Sequence, residues 1–216
     1  HRRKIMISEL MEPSGRGFQT AYHLGLLEAS DLFTAIAGKI DSGSEQVRRL
    51  ARISLANYFA AAVMMPYRRF LEAAEALAYD VEVLGARFQA SFEQVAHRLV
   101  SLRRPGAEGV PFGFLRSDPA GRLTKHFPLP GLLLPNSGHA CPLWAIYAAF
   151  RQPDQTVRQI VRFSDGSRYL FVARTLTKRV ASFSDAGVYS SIMLACDILH
   201  ADRTVYGIGL DLDAVA

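Results

Sequence analysis

Cysteine is nearly absent from the sequence: Cys141 and Cys196 are the only two in 216 residues. Two thiols cannot build a disulfide scaffold, and such sparing use suits a reducing cytosol. Long apolar runs are missing as well. Stretches such as Tyr58 to Pro66 are far too short to cross a bilayer, so no membrane association is expected. No cationic start leads into an apolar segment and a small-residue cleavage site, which argues against secretion and for a cytoplasmic chain. Nucleophile-elbow patterns of the G-x-S-x-G kind do not occur. Histidine is scattered over His1, His23, His97, His126, His139 and His200, with no H-x-x-x-H pair that could grip zinc from one helix face. Internal repeats and low-complexity tracts are also lacking. The first residue, His1, falls just before a strand-like run from Arg3 to Ser8, so an upstream segment is expected.

What is present is a globular composition. Half of the residues are hydrophobic and 21% are charged, enough for one or two domains with a real core. The net charge of +5 is unevenly placed. Residues 1–97 are balanced, residues 98–183 carry 13 basic against 4 acidic side chains, and residues 184–216 carry 1 against 5. Any one of these arginines reads as solvated surface. A bias of this size in one segment favours an anionic partner, either nucleic acid or a phosphorylated small molecule.

Patterning divides the chain in two. Apolar residues at helical spacing predict helices over 16–37, 45–65, 67–79 and 80–88. Ser44 stands where it can cap the second, and Pro66 ends it. Ser91 and Gln94 form a capping-box pair that opens a helix running to Leu102. From Arg104-Pro105-Gly106 onward the period changes to two. Strands over 110–116 and 122–127 flank the turn Ser117 to Gly121, and strands over 155–163 and 168–175 flank an Asp165-Gly166 turn. Between them lies a short helix from Pro142 to Phe150, and a helix over 190–200 and a strand over 204–210 are expected to close the chain. The fold class is therefore α+β: a helical domain at residues 1–102 followed by a small sensor-like α+β domain of PAS or GAF type at 103–216.

Two stretches carry a resemblance. Arg16 to Leu26, with Arg16, Phe18, Ala21, Leu24 and Gly25 in frame, resembles the zinc helix of the ImmA/IrrE peptidase-like family. Leu55-Ala-Asn-Tyr-Phe-Ala-Ala-Ala-Val-Met-Met-Pro66 resembles that family's following helix. Hydrolysis by zinc needs two histidines one turn apart and a glutamate to deprotonate the metal-bound water. Tyr22 and Leu26 stand at the ligand positions, His23 at the glutamate position, and Arg52, Ile53, Ser54 and Leu55 supply no third carboxylate. The helical domain is thus read as a degenerate, inactive metallopeptidase-like domain with no metal site and no catalytic residue, and the chain as no enzyme. His23, alone on a mostly apolar helix, reads as a structural residue.

Asp80 to Leu102, Arg104-Pro-Gly-Ala-Glu-Gly-Val-Pro-Phe112 and Ala140-Cys-Pro-Leu-Trp144 are similar to segments of short-chain fatty-acid regulators, so the likeness runs nearly end to end. It implies a bacterial transcription regulator of acetate or propionate use, including the glyoxylate and methylcitrate pathways. An N-terminal helix-turn-helix, not part of this sequence, would bind DNA, and the present region would sense short-chain acyl-CoA. Some members of that family hold an iron–sulfur cluster; with only Cys141 and Cys196 here, such a cluster would need cysteines outside this chain.

The residues are compatible with that ligand. Coenzyme A is a polyanion with an adenine face and a thin acyl arm. It calls for cations, an aromatic or guanidinium plane and a small apolar slot. Arg103, Arg104, Lys125, Arg162 and Arg174, interleaved with Phe112, Phe114, Trp144 and Tyr169, are the candidate binding residues, with Phe112 and Trp144 as walls of the acyl slot and Lys178 a further cation. Basic residues beside aromatics also describe single-stranded nucleic-acid sites, but these strands are too apolar for an open platform. Cys141-Pro142-Leu143-Trp144 reads equally as core and cap, with Pro142 at the first helical position. A homodimer is expected, since helix-turn-helix regulators read paired half-sites and the apolar stripe of Ile53, Tyr58 and Met65 exceeds what one neighbour would cover. The alternative is a dimerisation or protein-interaction module whose pocket is vestigial.

Overall fold

The structure, a computed structural model, describes residues 4–40, 44–132, 140–178 and 187–212; His139 and the side chain of Lys178 lie outside the described residues. Residues 4–8 form no strand, contrary to the sequence expectation. Helix α1 (Pro13–Glu28) begins earlier than the periodicity predicts because Pro13 takes the first turn, where its fixed φ fits and its missing N–H costs nothing. The helix expected over 16–37 is broken at Ala29 (φ −121°, ψ 14°), and α2 (Ser30–Gly38) follows. Helix α3 (Glu45–Met64) packs along α1 and ends before Pro66.

Helices α4 (Tyr67–Ala76), α5 (Val81–Phe88) and α6 (Phe92–Val100) follow with short corners. The Asp80 side chain accepts hydrogen bonds from the Glu82 and Val83 N–H groups, so it caps α5. At α6 the expected capping box is fully formed, Ser91 and Gln94 bonding each other's backbone.

A two-residue hairpin, β1 (Arg103–Arg104) and β2 (Ala107–Glu108), turns on Pro105-Gly106, where Gly106 has φ +76°. Then come β3 (Gly113–Ser117), β4 (Leu123–Phe127), the short α7 (Ala145–Ala148), β5 (Thr156–Arg162), β6 (Arg168–Lys178) and β7 (Val188–Asp197). The last five strands form one antiparallel sheet in the order β4-β3-β7-β6-β5. Both expected hairpins are there, one at each edge, in an α+β plan.

Two further expectations fail. The helix placed over 190–200 is β7, the sheet's middle strand, followed by a 3-10 turn over Ile198–Arg203. Every residue from Ser191 to Cys196 is buried, because a central strand covered on both faces reads as a continuous apolar run and loses its period of two. The closing strand over 204–210 contains instead the 3-10 turn Val205–Gly207. Its Tyr206 hydroxyl accepts the Val81 N–H at 3.0 Å, pinning the tail to the start of α5. The cap at α7 also differs: Trp144, not Pro142, precedes its first turn.

The sheet separates two cores. On one face Phe114, Leu170, Val172, Ile192, Leu194 and Cys196 pack against residues of α4, α5 and α6, together with Phe112 and Tyr206. On the other, Leu115, Tyr169, Phe171, Ala173, Met193 and Ala195 pack against Trp144, Ala145, Ile146 and Ala149. Helices α4–α6 therefore share their core with the sheet.

Candidate functional site

Three places gather chemistry. The first lies among α1, α2 and α3. Gly25 lets α1 sit close to α3, since a Cβ there would come within 2.6 Å of the Phe59 ring. Beside this contact is a cleft of about 410 Å³ lined by Tyr22, Leu26, Ser30, Phe33, Arg49, Arg52 and Ile53. Positions 22, 26, 52 and 53, where the peptidase-like pattern would put its metal ligands, thus line one cavity. The donors do not fit a metal: a phenol, two alkyl chains and two guanidiniums offer no imidazole or carboxylate, and the guanidiniums would repel a dication. Among the described residues no group of three or more His, Cys, Asp or Glu side chains could hold a metal ion. Arg52 pairs with Glu45 at 3.0 Å. His23 stacks edge-on against Tyr22 and is not part of the lining.

The basic and aromatic residues singled out from sequence are dispersed. Phe112 and Phe114 are buried on the sheet's helical face, whereas Trp144 and Tyr169 are buried on the opposite face. Phe112 packs on Tyr79, and Trp144 on Phe171 and Phe163. Phe112 and Trp144 therefore do not wall one slot: Phe112, just before β3, belongs to the core on the helical face, and Trp144, at the start of α7, to the core on the other. Arg174 forms an ion pair with Glu82 of α5. Arg162 is exposed at the end of β5. Arg103 donates to the backbone carbonyls of Val100 (3.1 Å) and Pro128 (2.9 Å), which ties β1 to the end of β4.

Arg104 belongs to a second place that sequence reading only half saw. Its guanidinium lies 4.4 Å from the centre of the Tyr67 ring, and the Arg98 guanidinium lies 5.5 Å from the same centre and 5.6 Å from that of Tyr58. Cation and aromatic faces so alternate from the buried Arg98 out to the exposed Arg104. Tyr67 is fixed by its hydroxyl, which donates to the Ala107 carbonyl (2.9 Å) and accepts the Arg104 N–H (2.8 Å). Arg98 is 1% exposed, donates through Nε to the Met65 carbonyl (2.9 Å) and through Nη1 to the Ser101 hydroxyl (3.3 Å). Among the described residues neither Arg98 nor Arg104 has a carboxylate partner. A signal for Arg98 existed: Val95, Arg98, Leu99 and Leu102 fall at helical spacing, which sets a cation on the apolar stripe.

The third place is the corner between α6 and the β3–β4 hairpin. Lys125 Nζ lies 3.2 Å from His97 Nδ1 and 5.5 Å from the Phe127 ring centre, and His97 stands edge-on to Phe114. Arg116, opposite Lys125 in register, binds Glu93 at 2.9 Å. Burial above all, then the charges of Lys125 and Arg116, pushes His97 down to about 3, so its imidazole is neutral. Burial also lowers Lys125, against the opposing pull of Glu93.

Residues 101–216 match the family described as short-chain fatty acyl coenzyme A regulator, C-terminal, and residues 1–100 match the IrrE N-terminal-like domain. The chain is 44% identical over 208 residues to the HTH-type transcriptional regulator RamB of Mycobacterium tuberculosis, covering 96% of this chain and 44% of that protein. It is 40% identical over 209 residues to the HTH-type transcriptional regulator PrpR of the same organism, covering 97% and 43%. To a propionyl-CoA carboxylase regulator of Cereibacter sphaeroides it is 44% identical over 195 residues, covering 90% and 42%. The chain spans less than half the length of these curated relatives. A solved structure described as a Mycobacterium tuberculosis transcriptional regulator superposes with a TM-score of 0.91 at 41% identity, covering 95% of this chain and 62% of that one. Among the described residues no helix is long and apolar enough to cross a membrane.

Proposed function

The chain belongs to the short-chain fatty acyl coenzyme A regulator family, and on that premise we propose that it is the effector-sensing region of a bacterial transcription regulator, binding coenzyme A or a short-chain acyl-CoA without catalysis. DNA contact falls to a helix-turn-helix outside these residues, and the regulated genes serve propionate or acetate use. The observation that carries the reading is Tyr67 held between the guanidiniums of Arg98 and Arg104, with no carboxylate on either among the described residues. Phosphates want unpaired guanidinium donors, and adenine wants a flat cationic or aromatic face. Arg104 supplies both at the surface. Ligand that binds one arrangement of the helices better than another would shift the DNA-binding equilibrium by that differential affinity.

The test is calorimetric titration with free CoA, acetyl-CoA and propionyl-CoA. A charge-assisted contact contributes roughly 1.5–3 kcal/mol, so Arg104→Ala is expected to weaken each of them roughly ten- to a hundredfold and to flatten the salt dependence. Unchanged affinity in that variant would remove Arg104 from the site. No binding of any of the three to the parent protein would overturn the reading itself.

A second reading rests on the exposed apolar side chains of α2 and α3, and it complements the first. Leu32, Ile36, Val47, Leu50, Ile53, Tyr58 and Val63 are all exposed, while Met65, expected on the same stripe, is instead fully buried under α6. A face this apolar fits a second copy of the chain, as paired half-sites on DNA would require. Sedimentation at micromolar concentration is expected to show a dimer that Leu50→Glu together with Ile53→Glu converts to monomer. A parent protein that is monomeric under those conditions would count against it.

A further inference from the structure

We propose that Lys125 is an acyl-acceptor site, its ε-amine taking the acyl group from the thioester of a short-chain acyl-CoA as an amide. The inference rests on the effector reading above, which supplies the thioester, but not on Arg104 being its anchor. The cluster is built from two elements. Lys125 lies on β4 with its amine directed at His97 of α6, Nζ to Nδ1 3.2 Å, and at the edge of the aromatic group formed by Phe114 and Phe127. Among the described residues the charged groups facing it are Arg116, opposite on β3, and Glu93, one turn before His97, which Arg116 engages at 2.9 Å. Glu93 still pulls Lys125 the other way, but less than burial lowers it.

An amine attacks a thioester only when it is unprotonated, and a lysine becomes so when it is desolvated or set beside another cation. Both conditions hold here, and burial does lower Lys125. A neutral His97 can accept one N–H of the amine; a protonated imidazole could not, since both its nitrogens would be donors. With one N–H given to His97, the lone pair of Nζ remains to attack. The C–N bond then forms and the C–S bond breaks. The electron pair leaves on the CoA sulfur, and the proton released by the amine passes to that thiolate, directly or through solvent, to give the thiol. No oxidant or second reactant is required. Arg103, bound to the Pro128 carbonyl at 2.9 Å, brings the paired arginines of β1 next to the strand that carries Lys125. His97 is a positioning residue in this scheme.

The experiment is incubation of the protein with propionyl-CoA across a pH series, with peptide mapping by mass spectrometry and titration of a non-hydrolysable thioether analogue alongside. Lys4 and Lys39, both exposed, are internal controls. Burial leaves more of the Lys125 amine unprotonated than an exposed lysine keeps, so Lys125 is expected to be propionylated faster than Lys4 or Lys39 at neutral pH, with its rate rising at lower pH than theirs. Lys125→Arg should abolish that adduct and leave the controls unchanged, and His97→Asn should slow it without changing affinity for the analogue. If the analogue binds but Lys125 reacts no faster than Lys4 and Lys39, this proposal fails alone. If the analogue does not bind, the effector reading fails and this proposal with it.

Discussion

Replacing Arg98 by alanine is expected to cost about 3–5 kcal/mol of stability, the upper range for emptying a core position, read as a drop in urea midpoint with an unchanged slope. The physical reason is placement. Arg98 is among the largest fully buried side chains, and its guanidinium lies against Tyr58 of α3 and Tyr67 of α4. Its Nε donates to the carbonyl of Met65, at the C-terminal end of α3 directly before Pro66, where helical carbonyls run out of N–H partners. A cation at that end also meets the negative pole of the helix. Removing it leaves a cavity and an unpaired buried carbonyl together. Arg98→Met keeps most of the volume and forfeits only the polar contacts, so a loss of about 1–3 kcal/mol is expected from the unsatisfied acceptor. The pair separates packing from charge: if both variants lie within about 1 kcal/mol of the parent, Arg98 is no pin for α3. CoA affinity should fall in both, because Tyr58 and Tyr67 lose the cation between them.

How far the sequence foretold this arrangement depends on how local each signal was. The capping box of Ser91 and Gln94, the stop at Pro66 and the Asp165-Gly166 turn are settled by neighbouring residues, and the structure has all three where the spacing put them. Strand β7 was misread because its evidence is long-range: only pairing with β3 and β6 explains why both faces of Ile192 to Cys196 are apolar. The same limit governs the site. Counting cations and aromatics in one segment found Arg104 and Lys125. It could not know that Phe112 and Trp144 would be set on opposite faces, since that follows from which side of the sheet the flanking segments pack. Nothing local in the sequence pairs Arg98 with Tyr67. Their partnership joins α4 to α6 across 31 residues of chain. The kinship of the first and third helices was the most legible feature, since residue type at fixed spacing is local, and Tyr22, Leu26, Arg52 and Ile53 do line one cleft.

Acidification should weaken the fold well before the carboxylates titrate, and His97 is the reason. Its imidazole is about three-quarters withdrawn from solvent, edge-on to Phe114 and Phe127, with Lys125 and Arg116 reaching it from the hairpin and Glu93 from its own helix. Burial, reinforced by the two cations, holds it near 3, against 6.5 for an unperturbed histidine. Between those values the unfolded chain binds a proton that the folded chain refuses. Stability therefore rises with pH through this window and is lost as pH falls. Glu93 would favour the protonated ring, but its carboxylate is spent on Arg116 and stands 3.7 Å from Nε2. Taking the two proton affinities at face value, the parent protein is expected to lose about 2 kcal/mol between pH 7 and pH 5 from this residue. His97→Phe keeps an aromatic ring against Phe114 and Phe127 and removes the titration, so its urea midpoint should stay nearly flat over the same range. The informative quantity is the difference between the two slopes, because every other titrating group is common to both proteins. Parallel slopes would mean that His97 takes up its proton in the folded state as readily as in the unfolded one. Such a result would place the ring in contact with water and break the Lys125–His97 arrangement from which the acyl-acceptor chemistry was drawn.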